Sequence, residues 1–414
     1  MPPIEAAAAP PTSPAPASDL LPDPSGPDTP RAILERIVAF PTVSSASNLD
    51  LIEWIEDWLE ARGIASGRDP EVEGGKVSLF AHVGPEAPGG VLLSGHVDVV
   101  PVEGQDWSTD PWTLTERDGL LYGRGACDMK GFDALALWAM GEAAALHREG
   151  RLKRPLQLAL TRDEEIGLLG APPLIEAMAH LPRAEVVIVG EPTSMRVVTG
   201  HKGGTGYRVH LRGHEVHSSM LPEGVSAVMH AAELVHWINE HNAEVQARVP
   251  DALAAAFDPP FTTFHVGTIS GGTATNITAR DCHFACEFRV VPGDDRAALD
   301  AAFRAACGAR EARMREVHPN CFVDVQSRFS GPPFVPDRDG AAEMLARRLT
   351  GDNASHTVSY GTEAGHFQAA GYSTVVCGPG DIAQAHQADE FLSIEQLEAG
   401  EAFLRRLLGH LCED

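Results

Sequence analysis

Four stretches of the chain set acidic side chains or histidine just behind short apolar runs. They are Ser94-Gly95-His96-Val97-Asp98, Gly125-Ala126-Cys127-Asp128-Met129-Lys130-Gly131, Thr161-Arg162-Asp163-Glu164-Glu165 and Gly190-Glu191-Pro192-Thr193. A fifth, Gly378-Pro379-Gly380-Asp381 running on to His386, follows the apolar run 373–377. Imidazole nitrogen and carboxylate oxygen are ligands for zinc or a similar borderline cation. Two histidines and three carboxylates divide evenly between two ions only if one carboxylate bridges them. Each piece alone is weak. A His-x-Asp pair is more often a surface pair, a Glu-Glu pair in a loop is usually solvated, and Asp128 could simply cap the helix that begins after Lys130. Their shared location changes the odds, because ligands of open α/β sheets bind beyond the carboxyl ends of the strands.

Short, continuously apolar strands are needed to hold these groups, and the sequence supplies them. Val91–Ser94, Leu156–Thr161 and Val186–Val189 read as strands of a parallel sheet covered on both faces. Helices are expected from Pro30, over Leu51–Leu59 up to Gly63, and over Phe132–His147. After about residue 200 the texture changes. Tyr207–Leu211 alternates as a strand with one solvated face would. A helix (Val225–Val245), strands near Thr262–Ile269 and His283–Val290, a helix (Arg296–Val317) and a strand at Cys321–Val325 complete a β-α-β-β-α-β order, that of a ferredoxin-like sandwich. A helix at Ala341–Leu349, a strand at Ser373–Cys377 and a helix from Ser393 return to the α/β pattern. The expected fold is therefore a large doubly wound α/β domain (31–199 and 330–414) interrupted by an inserted ferredoxin-like α+β domain (200–329).

The chain has 414 residues, two or more times the ~100–200 of an ordinary domain. Asp and Glu total 58 against 32 Lys and Arg, a formal net charge of -26. A polyanionic partner would be repelled, which argues against nucleic acid or an anionic membrane, whereas carboxylates gathered at one place attract cations. No run of ~18 apolar residues marks a membrane span. Seven dispersed cysteines fit reduced thiols in a cytosolic protein. Residues 1–30 hold ten of the 31 prolines and no Lys or Arg, so a disordered tail is expected there rather than an export signal.

The motifs SGHVDVVP, GRGACDMKG, DEEIG, GEPT and GPGDIAQAHQADEF, in that order, resemble the acetylornithine deacetylase and succinyl-diaminopimelate desuccinylase family of two-metal amidohydrolases. GHKGG, GHEVHSS, GTISGGTATN, EFRVVPG and YGTEAGHFQ are most similar to its acetylornithine deacetylase branch. The resemblance covers about residues 31–410. It implies that His96, Asp128 and Glu191 hold one divalent metal ion and Asp128, Glu165 and His386 a second. The native metal could be zinc, cobalt or manganese. Asp98 would accept the other ring N–H of His96, and the Asp128–Met129 peptide would be cis. Glu164 would be the general base for a metal-bridging hydroxide that attacks an amide carbonyl. His217 would serve as oxyanion donor in the site of a partner subunit, with dimerisation through the inserted domain. Asn276 and Arg289 match positions that contact a substrate carboxylate. Gly361, Thr362 and Glu363 would border the pocket, Glu363 facing a cationic side chain.

The activity so implied is hydrolysis of N2-acetyl-L-ornithine to L-ornithine and acetate, a step of arginine synthesis. Another N-acyl amino acid, a dipeptide, or a catalytically inactive binding role are the alternatives. Some signals are set aside. Cys127 has no thiolate-activating neighbour, Cys282 and Cys286 read as small core residues, Lys130 could assist Asp128 or be solvated, and His366 stands where the family leads one to expect an apolar or aromatic residue.

Overall fold

The computed structural model describes residues 29–413; the remainder of the expected Pro/Ala tail lies outside the described residues. The first helix starts as its sequence dictates, with Pro30 at the first helical position and Thr29 Oγ1 accepting the Ala32 N–H at 3.3 Å. In chain order the first elements are α1 (Pro30–Val38), α2 (Leu49–Glu60), β1 (Ala65–Arg68), β2 (Leu79–Val83), β3 (Val91–His96), β4 (Thr115–Arg117) and β5 (Leu120–Tyr122). Then follow α3 (Lys130–Arg148), β6 (Leu156–Thr161), α4 (Ala171–Ala177), β7 (Val186–Pro192), β8 (Val198–His201), β9 (Gly203–Arg212) and α5 (Ala227–Gln246). After them come β10 (Thr263–Gly271), β11 (Asp281–Val290), α6 (Arg296–Val317) and β12 (Phe322–Gly331). The last are α7 (Ala341–Thr350), β13 (His356–Val358), α8 (Ala364–Ala369), β14 (Ser373–Gly378), β15 (Phe391–Ser393) and α9 (Ile394–Leu411).

An eight-stranded mixed sheet runs in the order β1-β2-β6-β3-β7-β14-β8-β13. Its middle, β6-β3-β7-β14, is parallel. Every residue of β3 and β6 is buried, as expected for largely apolar strands covered on both faces. One face of the sheet packs through Leu93, Leu158 and Ile188 against α1, α3 and α9. The other packs through Leu92, Ala159 and Val187 against Leu174 of α4 and Phe367 of α8. Helices on both faces make the sheet doubly wound, with its strand ends free to carry loops.

The chain between β8 and β13 builds a second, wholly antiparallel sheet in the order β10-β11-β9-β12. With α5 and α6 on one side, this is the β-α-β-β-α-β arrangement read from the sequence. Strand β11 alternates in burial along its length, and Cys282, Phe284, Cys286, Phe288 and Val290 point into the core with Phe303 and Met314 of α6. Cys282 and Cys286 are thus core residues. The opposite face of β11 carries Ala285, Glu287 and Arg289 toward a cavity shared with the large sheet.

Candidate metal centre

The parallel strands deliver their acidic and histidine residues to one place. His96 ends β3, Glu191 is the penultimate residue of β7, and Glu164–Glu165 lie just beyond β6. Asp128 stands two residues ahead of α3 without capping it, and the Asp128–Met129 peptide is cis. The two oxygens of Asp128 face opposite ways: Oδ1 is 3.1 Å from His96 Nε2, and Oδ2 is 3.1 Å from His386 Nε2. Glu191 Oε1 lies 3.9 Å from His96 Nε2, and Glu165 Oε2 lies 3.0 Å from His386 Nε2. Two triads result, His96–Asp128–Glu191 and Asp128–Glu165–His386, each with one ligand atom per residue inside 4.8 Å. The carboxylate they share is Asp128.

The surroundings fix these side chains. The sequence led us to expect the Asp98 carboxylate on the second ring nitrogen of His96. That nitrogen donates instead to the main-chain oxygen of Asp98 at 2.9 Å, and the carboxylate oxygen is 3.7 Å away, too far for a hydrogen bond. The Asp98 carboxylate is occupied elsewhere, accepting the main-chain N–H of Glu164 at 3.0 Å, that of Glu165 at 3.3 Å and the Ser44 hydroxyl at 2.7 Å. It therefore orients the Glu-Glu turn. A second buried acid, Glu390, accepts the N–H groups of Cys127 and Asp128, both at 3.0 Å, and pairs with Arg124 at 2.6 Å. Arg124 and Glu390 lie inside two of the family motifs, which by themselves assign them no role. Their 266-residue separation hid the pairing.

Charge in this cluster is poorly compensated by protein. Burial and the neighbouring Glu191 push the Glu164 carboxyl well above its usual range, and burial and Asp128 do the same to Glu191. Burial and Asp128 push Glu165 up to about 7. Burial works against the charge of Asp128 as well, but hydrogen bonds from His386 and His96 hold its carboxyl well below the usual range. Hydrogen bonds to Asp128 and Glu165 raise His386 to about 10. Burial opposes the charged imidazole of His96, yet the bond to Asp128 and the charges of Glu164 and Glu191 raise it well above its ordinary value. A largely buried cluster of oxygen and imidazole ligands, paired with no lysine or arginine among the described residues, fits divalent cations.

The cluster opens on a cavity of about 670 Å³. Glu164, Arg289, Tyr360 and Gly361 line it along with Asp128, Glu165, Glu191 and His386. Thr362 and Glu363 do not. Thr362 is buried and its N–H reaches the ring of His201 at 3.3 Å. Glu363 is 1% exposed, behind the cluster rather than facing ligand, and burial raises its carboxyl to about 8. It therefore does not stand opposite a cationic side chain as expected: as the residue that precedes α8 it is buried in the protein. His217 and Asn276 are both exposed and neighbour each other, with Ser218 N–H donating to the Asn276 carbonyl at 2.9 Å, and neither lines the cavity of its own chain. His214 stacks on His318. Lys130 neither assists Asp128 nor is solvated; its Nζ donates to the Ile37 and Phe40 carbonyls. Cys127 is buried, and burial raises its thiol far above the usual range. His366 is lowered to about 4 by burial, so its ring is neutral, and it does not line the cavity.

Residues 92–410 match the peptidase family M20/M25/M40. The chain belongs to this family. Acetylornithine deacetylase of Myxococcus xanthus is 39% identical over 396 residues, covering 92% of this chain and 97% of the relative. Among solved structures, an M20 family metallo-carboxypeptidase from Sulfolobus solfataricus shares the fold with a TM-score of 0.75 at 17% identity, over 93% and 99% of the two chains. A dinuclear metal-binding M20 peptidase of Bacillus subtilis superposes with a TM-score of 0.58 at 16% identity, over 92% and 97%. The protein is thus an M20 metal-dependent amidohydrolase, and no helix among the described residues is long and apolar enough to cross a membrane.

Proposed function

We propose that the protein hydrolyses the amide of an N-acyl amino acid, with N2-acetyl-L-ornithine as substrate and L-ornithine and acetate as products, a step toward arginine. The observation that carries this reading is one cavity joining the Asp128-centred triads to a guanidinium, Arg289, suited to a carboxylate. The acetylornithine deacetylase relative supports the choice of acyl group and amino acid.

His96, Asp128 and Glu191 would hold one ion and Asp128, Glu165 and His386 the other, zinc being the fit to this mixed imidazole and carboxylate set. When bound, the ions supply Lewis acidity toward the amide carbonyl and acidify a nucleophilic water. Glu164, whose carboxylate lines the cavity beside Glu165, takes the proton from that water and passes it to the departing amine nitrogen. Asp98 keeps Glu164 turned to the cavity through its main-chain N–H. Arg289 binds the substrate carboxylate and so sets which amide reaches Glu164.

The segment 200–329 acts in this proposal as lid and dimerisation domain over a metal-binding domain made of 31–199 and 330–414. His217 and Asn276 serve the partner subunit's cavity, His217 as oxyanion donor. Their exposure supports this, as do the exposed Met220, Leu221, Ile269 and Ile277 nearby and the position of β10 at the sheet edge. Steady-state assays with acetylornithine, with and without chelator, test the function. Chelator-sensitive turnover is expected, and a higher kcat/KM for dipeptides than for acetylornithine would overturn it. Glu164→Ala should nearly abolish turnover while leaving metal content unchanged; loss of both together would mean that Glu164 and Glu165 have exchanged roles.

A further inference from the structure

We propose that Glu287 reads the ammonium at the end of the substrate side chain, so that the cavity selects N-acyl amino acids with a cationic side chain. The inference rests on the amidohydrolase reading above. Glu287 and Arg289 sit two apart on the cavity face of β11, and Arg289 Nη2 donates to Glu287 Oε2 at 3.0 Å. Outside the ligand cluster with Glu164, Glu287 is the acid among the described residues that line the cavity. Two of the cations there are otherwise placed: Lys202 Nζ donates to the Pro259 and Phe261 carbonyls, and Arg289 faces Glu287.

The neighbouring strands set an aromatic ring beside this pair. Arg289 lies opposite Gly204 and Glu287 opposite Gly206 on β9, and Gly206 in turn lies opposite Phe329 on β12. A Cβ on Gly206 would meet the Phe329 ring at 2.2 Å, so only glycine lets that ring lie against β9. The guanidinium of Arg289 is 5.9 Å from the ring centroid. A cation and an anion thus stand side by side on β11 with an apolar ring near the cation, where a short methylene chain carrying a carboxylate and an ammonium can lie.

Both members of the pair are about one-third exposed, so their mutual bond contributes little and yields readily to a ligand. When a substrate carboxylate draws Arg289 away, Glu287 is left needing a cation. Acetylornithine supplies that cation. N-acetylnorvaline, of the same length without the ammonium, leaves the carboxylate desolvated and unpaired.

The test is the ratio of kcat/KM for acetylornithine to that for N-acetylnorvaline, which is independent of the fraction of enzyme folded. Wild type should prefer acetylornithine by on the order of a hundredfold. Glu287→Gln should reduce that ratio about tenfold or more, and Glu287→Asp should retain most of it. A wild-type ratio near one, or equal losses for both substrates in Glu287→Gln, would overturn the proposal; the second result would leave Glu287 only a support for Arg289. Failure of wild type to hydrolyse either substrate would instead overturn the proposed function.

Discussion

Glu390 accepts the main-chain N–H of Asp128 at 3.0 Å, so the carboxylate shared by both triads is steered by a residue four positions past another triad member, His386. Glu390 is itself neutralised by buried Arg124. One side chain therefore ties the approach to α3 to the loop beyond β14. Glu390→Gln should weaken metal binding about 10–100-fold in the folded protein, because the anchor loses its charge and Arg124 its partner. Chelator competition well below the melting temperature measures it. Unchanged affinity with only a lower Tm would mean that Glu390 supports the fold alone.

Metal binding must displace protons. His386 is raised to about 10 and the Glu165 carboxyl to about 7, so at pH 7 the metal-free cluster holds protons that the ions replace. Affinity should fall as pH is lowered, about tenfold per unit for each proton displaced. Titration calorimetry in buffers of different ionisation enthalpy should count at least one proton released per chain at pH 7. A count of zero would contradict the electrostatics described here.

The buried Glu363 makes stability depend on pH in a predictable direction. Its carboxyl is raised from an ordinary 4.5 to about 8, so between those values the folded chain holds a proton that the unfolded chain has lost. That contribution is complete below 4.5 and disappears as pH rises toward 8. In metal-free protein, Glu363→Gln should gain stability relative to wild type between pH 5 and pH 8, by a few kcal/mol at about 1.4 kcal/mol per unit. Denaturant midpoints at the two pH values check it, and a constant difference would refute it.

His217 should work on the partner subunit's substrate. His217→Ala and Glu164→Ala, each inactive alone, should recover about a quarter of wild-type activity when mixed and allowed to exchange subunits, since half the dimers then hold one intact site. No recovery, with exchange demonstrated, would place His217 outside catalysis.

Contiguous pieces of this protein were legible from sequence. His96, Asp128, Glu165, Glu191 and His386 each follow or precede a strongly patterned strand or helix, so a parallel sheet brings their neighbourhoods to one end. The alternation of Tyr207–Leu211 likewise announced the second sheet, and β11 shows the same period. What escaped notice were contacts between distant segments and the aim of single side chains. Asp98 was paired with the nearest ring when its carboxylate turns to the Glu164 and Glu165 main chain. The returning chain at 361–363 is expected to border the pocket, but entry into α8 buries Glu363. Glu287, in the same strand as Arg289, is not singled out by its sequence, because its register against Gly206 and Phe329 needs three strands in place. Edge strands such as β1 and β13, only 4 and 3 residues long, carry too little pattern to be read.

Anomalous diffraction from crystals of the zinc-loaded protein tests the central claim most directly. It should show two peaks about 3.5–4 Å apart, one beside each oxygen of Asp128, with His96 and Glu191 on one and Glu165 and His386 on the other. A single ion, or two ions without Asp128 between them, would contradict it.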